Sequence, residues 1–393
     1  MARTGRRAAA PALATVVTLV GMLACGCVDP SGSETPEPTP VVRPEAPAGE
    51  LPGELQSRLR AALEDTMAVH GVPGATVGVW IPGLGSWTVG LGVADLASGE
   101  AVTTELSWPI RSITKSYTVT LLLQLVDEGV VRLEDPVDRY LEGVTHGDAI
   151  TLLQLADMSS GVADYITESF IEDFAADPAR VFTLEELNAG VLGAPARFAP
   201  GARHVYTNAN TNLLGAVIEA VTGQDFAEVL EARILRPLGQ TGTSYLSDVR
   251  HWTAAHATGY LPAPETGELL PQVQNFSVFG PAGSLVSTLE DGRVWAQVLG
   301  SGALLRPETQ ELRLRGHELE GPPYGLYAAG IGETAGWLGH NGEGIGFTAA
   351  TFHEPTTGAS IVVYMNLSNV PSGAHPADEA FRALAAILAD ELG

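Results

Sequence analysis

Arg111-Ser112-Ile113-Thr114-Lys115-Ser116-Tyr117 leads into the apolar run Leu121-Leu122-Leu123-Gln124-Leu125-Val126, which closes at Asp127-Glu128-Gly129. The pattern reads as a buried helix entered at Ser112 and stopped at Gly129. At a spacing of three, Ser112 and Lys115 share one helix face, one turn apart. Lys115 is the only lysine in a chain with 21 lysines and arginines. Arginine does not deprotonate in proteins, so only lysine can offer a neutral amine here. Burial in an apolar helix and the positive end of the helix dipole both favour that neutral form. A neutral amine beside a serine can take the hydroxyl proton and activate a nucleophile.

Outward from this helix the periodicity is clear. Leu55, Leu59, Leu63 and Met67 predict an amphipathic helix over 54–70, followed by strands over 75–81 and 86–93. From about 130 to 285 the pattern is mostly helical. Strand-like segments follow at 336–340, 346–353 and 360–366, then a helix over 377–392 with Phe381, Leu384 and Leu388 on one face. Strands at both ends flanked by helices at both ends predict an α+β body over 51–393. An antiparallel sheet is covered by the N- and C-terminal helices, and an all-helical lobe (about 130–285) is inserted as a second lobe.

Residues 1–27 carry Arg3, Arg6 and Arg7, an apolar stretch, and Leu23-Ala24-Cys25-Gly26-Cys27. This reads as an export signal. A cysteine after small residues resembles the lipobox of bacterial lipoproteins, which would place a lipid on Cys25 or Cys27 and anchor the protein to a membrane, facing the periplasm or cell exterior. Residues 28–50, rich in Pro, Glu, Ser and Thr, read as an extended spacer.

The formal charge of −25 argues against nucleic acid as a partner. Cys25 and Cys27 are the only cysteines, so the body has neither a disulfide framework nor a cysteine metal site. The nine histidines form no H-E-x-x-H cluster, and there is no Gly-rich phosphate loop. No metal and no cofactor is expected.

Two further clusters carry chemistry. Tyr206-Thr207-Asn208 follows the Pro200-Gly201 turn. On an extended segment Tyr206 and Asn208 point the same way. Tyrosine can relay a proton as phenolate if a cation lowers its pKa, and asparagine offers a donor and an acceptor to a substrate amide. His340-Asn341-Gly342-Glu343-Gly344 falls on or just after a strand, where glycine lets a ligand lie against the backbone. A backbone N–H there, with that of Ser112, could form an oxyanion hole.

Ser112-x-x-Lys115, Tyr206-x-Asn208 and His340-x-Gly342, in that order, resemble the penicillin-recognising serine hydrolases, in particular class C β-lactamases and secreted D-alanyl-D-alanine carboxypeptidases. Met158-Ser159-Ser160-Gly161, Phe198-Ala199-Pro200-Gly201, Ala282-Gly283-Ser284-Leu285 and Gly339-His340-Asn341-Gly342 match that family's habits, over about 55 to 390. The resemblance implies a β-lactamase-like fold and an acyl-enzyme on Ser112. Lys115 and Tyr206 would share the acid and base roles. Asn208, His340, Asn341 and Gly342 would bind substrate, and the Ser112 and Glu343 N–H groups would hold the oxyanion. The substrate would be a small molecule, ester or peptide, cell-wall peptide included. A carboxylesterase or D-amino-acid peptidase of the same fold is an alternative, as is a penicillin-binding or wall-sensing lipoprotein without turnover.

Two departures bear on substrate. The carboxypeptidases it resembles usually carry a hydroxyl residue where this chain has Glu343, and an arginine shortly after a Tyr-Gly-Leu. Here Tyr324-Gly325-Leu326 runs into Tyr327-Ala328-Ala329-Gly330 without a cation. An ionised Glu343 would repel a substrate carboxylate. The expected substrate is therefore an uncharged ester or amide, or one bearing an amine, unless Glu343 points away or Arg203 reaches in.

Overall fold

The computed structural model describes residues 42–272 and 275–392. The expected signal, the lipidated cysteine and most of the spacer lie outside the described residues. The last spacer residues lie against the body. Arg43 donates to the carbonyls of Leu238 and Gly239, and Pro44 O accepts from Arg293.

The chain builds a nine-stranded antiparallel sheet. Its spatial order is Glu100–Ala101, Gly85–Asp95, Gly74–Ile81, Ala359–Met365, Phe347–Glu354, Trp337–Gly344, Ile331–Thr334, Leu326–Ala328 and His317–Glu318. The central strand Ala359–Met365 pairs on one side with the N-terminal strand (Val77↔Val363) and on the other with Phe347–Glu354 (Ala350↔Val363). Both faces of this centre are buried, so its strands read as continuous apolar runs rather than as alternation.

Val77, Val79, Ile361, Val363 and Phe352 pack against Leu55, Leu59 and Leu63 of helix Gly53–His70 and Phe381, Leu384 and Leu388 of helix Pro376–Leu392. On the other face Ala349, Val362 and Tyr364 meet helix Leu289–Ser301 and, beyond it, the helical insert. The insert is not all-helical as expected: it holds strands of two to four residues, too short to show a period. Ser244–Tyr245 pairs with Leu285–Ser287, which Trp108–Pro109 from before the insert flanks on its other side, and Gly259–Pro262 pairs with Leu269–Gln272. The edge strands between 317 and 334 have two to four residues each, too few to show a period in the sequence.

Helix Thr114–Asp127 passes through the core, with Thr114 to Leu123 and Leu125 buried. No proline or glycine interrupts it, and Gly129 beyond its end has φ +73°. Several of its buried hydroxyls bond within the core. Thr118 Oγ1 donates to Pro281 O at 2.7 Å, and Ser116 Oγ accepts from Trp295 Nε1 at 2.8 Å. The helix proper begins two residues later than the sequence suggests. Ser112 sits in a 3-10 turn, Arg111–Ile113, that feeds it.

Candidate active site

Arg111, the residue before Ser112, has φ +52°. A side-chain-bearing residue in the left-handed region costs on the order of 1–3 kcal/mol and persists only where its surroundings impose it. Here Nε of Arg111 donates to Gly344 O at 2.9 Å and Nη2 to Ile345 O at 3.2 Å. The guanidinium lies 4.2 Å from the centroid of Phe276 and 5.1 Å from that of Phe279. The serine turn is thereby tied to the end of strand Trp337–Gly344.

Gly342 makes the same connection from the strand side. A Cβ on it would lie 2.3 Å from Ile110 O and 2.9 Å from Ser112 N, both backbone atoms. The strand runs directly over the serine turn, and only glycine permits that approach. The pairing with Ile331–Thr334 ends at Gly339, so beyond it the strand has an open edge. Asn341 N uses that edge to reach Tyr324 Oη at 2.8 Å. Alternation along the ladder then puts the Glu343 N–H on the same open edge, beside Ser112. A strand that continues to Gly344 thus carries the whole His340–Gly344 cluster, which the sequence puts partly beyond it.

Lys115 is fully buried. Its Nζ bonds Ser112 Oγ at 3.0 Å, Asn208 Oδ1 at 2.7 Å and Ala282 O at 2.9 Å. The last two atoms can only accept, so they take two N–H bonds. In the neutral amine the remaining lone pair faces the Ser112 hydroxyl. Burial pushes the Lys115 pKa down to about 7, against a smaller opposing pull from Asp164.

Tyr206 lies over this amine, its ring centroid 4.8 Å from Nζ, and Ser112 is near enough to its hydroxyl to lower its pKa. The ring is 38% exposed and forms part of the mouth. Desolvation raises its pKa above the ordinary tyrosine value, and Ser112 offsets only part of this. The condition for a phenolate relay, a cation that lowers the Tyr206 pKa, is not met: Lys115 is itself depressed toward neutrality and Tyr206 is raised. Asn208 is likewise not on an extended segment. It is the first residue of helix Asn208–Thr222, whose N-cap Thr207 accepts from Asn210 N. Ser160 Oγ donates to Asn210 Oδ1 at 2.5 Å, so the Met158-Ser159-Ser160-Gly161 stretch anchors that helix start.

His340 and Asn341 lie behind the mouth rather than in it. His340 is fully buried, with Nδ1 at 2.5 Å from Asn341 O and Nε2 at 3.1 Å from Tyr327 Oη. Burial lowers its pKa to about 3, so the ring is neutral. Its ring centroid is 6.4 Å from that of Tyr206, which it backs. Asn341 Oδ1 accepts from Tyr324 Oη at 2.7 Å. The expected direct substrate contacts of these two side chains are thus replaced by bonds to buried tyrosines. The Glu343 side chain points to the face opposite Gly342, where Oε1 accepts from Asn369 N at 3.0 Å. It lines an open pocket of about 490 Å³ with Gly344, Asn369, Val370, Gly373 and Ala374. Arg203 does not reach in; its guanidinium stacks on Phe198 at 4.8 Å.

One carboxylate was missed by sequence reasoning. Half-buried Asp164 accepts from Asn208 N at 3.2 Å through Oδ2, and its field acts on both Lys115 and Tyr206. It follows the Ser-Ser-Gly turn by three residues, and that adjacency was the only signal available. Together the groups can do acyl transfer: a hydroxyl facing a neutral amine, a protonated phenol, an amide at the amine, and the backbone N–H groups of the serine turn and of the strand edge beside it.

The beta-lactamase family matches residues 59–387. The chain is 31% identical to a D-aminopeptidase of Brucella anthropi over 228 residues, 58% of this chain and 42% of that protein. It is also 31% identical to penicillin-binding protein 4 of Amycolatopsis lactamdurans over 238 residues, 56% of this chain and 58% of that one. The chain spans about half the length of these curated relatives. Among solved structures, a D-stereospecific amidohydrolase from Streptomyces sp. superposes with a TM-score of 0.72 at 25% identity, covering 84% of this chain and 98% of that one. Matched along most of its length, with a serine, a buried amine and a tyrosine gathered at one mouth, the chain belongs to the beta-lactamase family and is a serine hydrolase.

Proposed function

We propose that this hydrolase cleaves the amide or ester bond of substrates whose acyl part is a D-amino acid with a free amine. Ser112 is the nucleophile and Lys115 the base that takes its proton. Tyr206 hands its proton to the leaving group and is reprotonated by the Lys115 ammonium. The N–H groups of Ser112 and Glu343 hold the oxyanion, and water then cleaves the acyl-enzyme to free Ser112. The observation that carries the substrate class is Asp164. A carboxylate bonded to the Asn208 N–H, close enough to act on Lys115 and Tyr206, attracts a substrate ammonium and repels a substrate carboxylate. Glu343 points to the opposite face of its strand, bonded to Asn369 N, so its charge does not enter this argument. The basic groups nearest the mouth are engaged elsewhere: Arg203 on Phe198, and Arg111 on two carbonyls. The names D-aminopeptidase and D-stereospecific amidohydrolase among its relatives support the D configuration. A D-alanyl-D-alanine carboxypeptidase would need a cation for the terminal carboxylate, so we rank that reading second.

The test is a substrate panel: D-phenylalanine p-nitroanilide, its L isomer, its N-acetyl derivative, a D-Ala-D-Ala peptide and a chromogenic cephalosporin. Wild type should favour the free D-amine over the N-acetyl compound by about 30-fold or more, and Asp164→Asn should erase most of that preference. Equal rates on the free and acetylated anilides, or a preference for the D-Ala-D-Ala peptide, would refute the assignment. The same proposal includes export and lipid anchoring through residues 1–27. Palmitate labelling of the expressed full chain that is lost in only one of Cys25→Ser and Cys27→Ser would name that cysteine as the anchored residue; no labelling of the wild-type chain would remove the anchor.

A further inference from the structure

His375 stands immediately before helix Pro376–Leu392 and is its N-cap. Its carbonyl accepts from Glu379 N at 3.0 Å, and its Nδ1 meets Asp378 N at 3.1 Å. Its Nε2 lies 3.1 Å from Gly342 O. These two partners fix the tautomer. The Asp378 N–H can only donate, so Nδ1 carries the lone pair. The Gly342 carbonyl can only accept, so Nε2 carries the proton. A single neutral imidazole satisfies both ends, and burial favours that neutral form.

The Gly342 carbonyl belongs to the same planar peptide as the Glu343 N–H. In a trans peptide the two point in opposite directions, so a donor on the carbonyl fixes where the N–H points. It also polarises the amide and strengthens the N–H as a donor. The other end of this segment is held through Glu343 Oε1 to Asn369 N and through Arg111 to Gly344 O.

We propose that His375 is a positioning residue for acyl transfer: it holds the Gly342–Glu343 peptide so that the Glu343 N–H faces the oxyanion formed on Ser112. This rests on the reading of Ser112 as nucleophile. It couples the C-terminal helix, on the far face of the sheet, to the reacting centre.

The experiment must separate capping from positioning. His375→Ser keeps a good N-cap acceptor but removes the donor to Gly342. His375→Ala removes both, and His375→Gln restores a donor of comparable reach. For each variant we would measure the melting temperature, kcat and KM on the best substrate of the panel above. We would also measure the affinity for an aryl boronic acid, which forms a tetrahedral adduct on a serine nucleophile. His375→Ser should keep the wild-type melting temperature and KM, lose about tenfold in kcat and weaken the boronate by a similar factor, with His375→Gln recovering most of the loss. A His375→Ser variant with wild-type kcat and boronate affinity overturns the proposal alone. A wild-type protein that neither turns over any substrate nor binds the boronate overturns the nucleophile reading, and this proposal with it.

Discussion

Lys115 Nζ lies 3.0 Å from Ser112 Oγ, and its two other bonds go to oxygens that can only accept. The geometry therefore accommodates a neutral amine without an orphaned donor, with its lone pair on the serine proton. Burial supplies the other half, holding the amine near pKa 7 instead of 10.5. Position and protonation state point to one role for this residue.

A pH dependence follows directly. Below about 7 a proton occupies the lone pair that Ser112 requires; above it the amine is free. For an ester without its own titrating amine, kcat/KM should climb as pH rises through about 7 and then level off. Tyr206, raised rather than lowered, keeps its proton across this range and produces no early fall. A rate that declined between pH 6 and 8 would contradict this.

The same burial has a cost in stability. In the unfolded chain Lys115 returns to its ordinary value of 10.5, so between about 7 and 10.5 the unfolded state binds more protons than the folded one. This group therefore penalises the fold at neutral pH, and the penalty fades as pH rises through that window. Lys115→Met should raise stability at pH 7 by about 1–3 kcal/mol while lowering kcat by about 10³-fold. Denaturant melts of both proteins at pH 7 and pH 10 would show the gap narrowing.

Gly342→Ala places a methyl group 2.3 Å from Ile110 O and 2.9 Å from Ser112 N. Neither backbone atom can swing aside, so the strand and the serine turn must separate. About 1–3 kcal/mol of stability should be lost, with a fall in kcat of about 100-fold. Boronate binding should weaken in parallel, since both oxyanion donors move.

Arg111→Ala removes two bonds to the 344–345 backbone and the packing on Phe276 and Phe279, yet keeps a side chain at φ +52°. It should cost about 2–4 kcal/mol, read as a drop in denaturant midpoint. Arg111→Gly relieves the backbone strain and should lose less.

Much of this site is legible in the sequence. The Ser112–Lys115 pair could be read because three-residue spacing at a helix start is a local relation, and the buried strands because apolar runs are local too. Tyr206 and Asn208 were found as a pair, although the sequence could not show that one ends a loop and the other opens a helix. What escaped depends on distant backbone. Asp164 is one acid among 46 Asp and Glu residues until Asn208 folds onto it. His375 has no local pattern, because its two partners lie on different elements. His340 and Asn341 were assigned to substrate because the sequence gives no sign that Tyr324 and Tyr327 fold back to occupy their polar atoms. The positive φ of Arg111 could not be anticipated from an arginine.

The nucleophile can be tested by intact-mass and peptide mapping after brief exposure to an activated D-phenylalanine ester at several pH values. A single acyl adduct should map to the peptide bearing Ser112. Its rate of formation should rise through about pH 7, and it should be absent in Ser112→Ala and nearly absent in Lys115→Met. An adduct on another residue, or one that forms equally fast without the Lys115 amine, would contradict the assignment of these two residues.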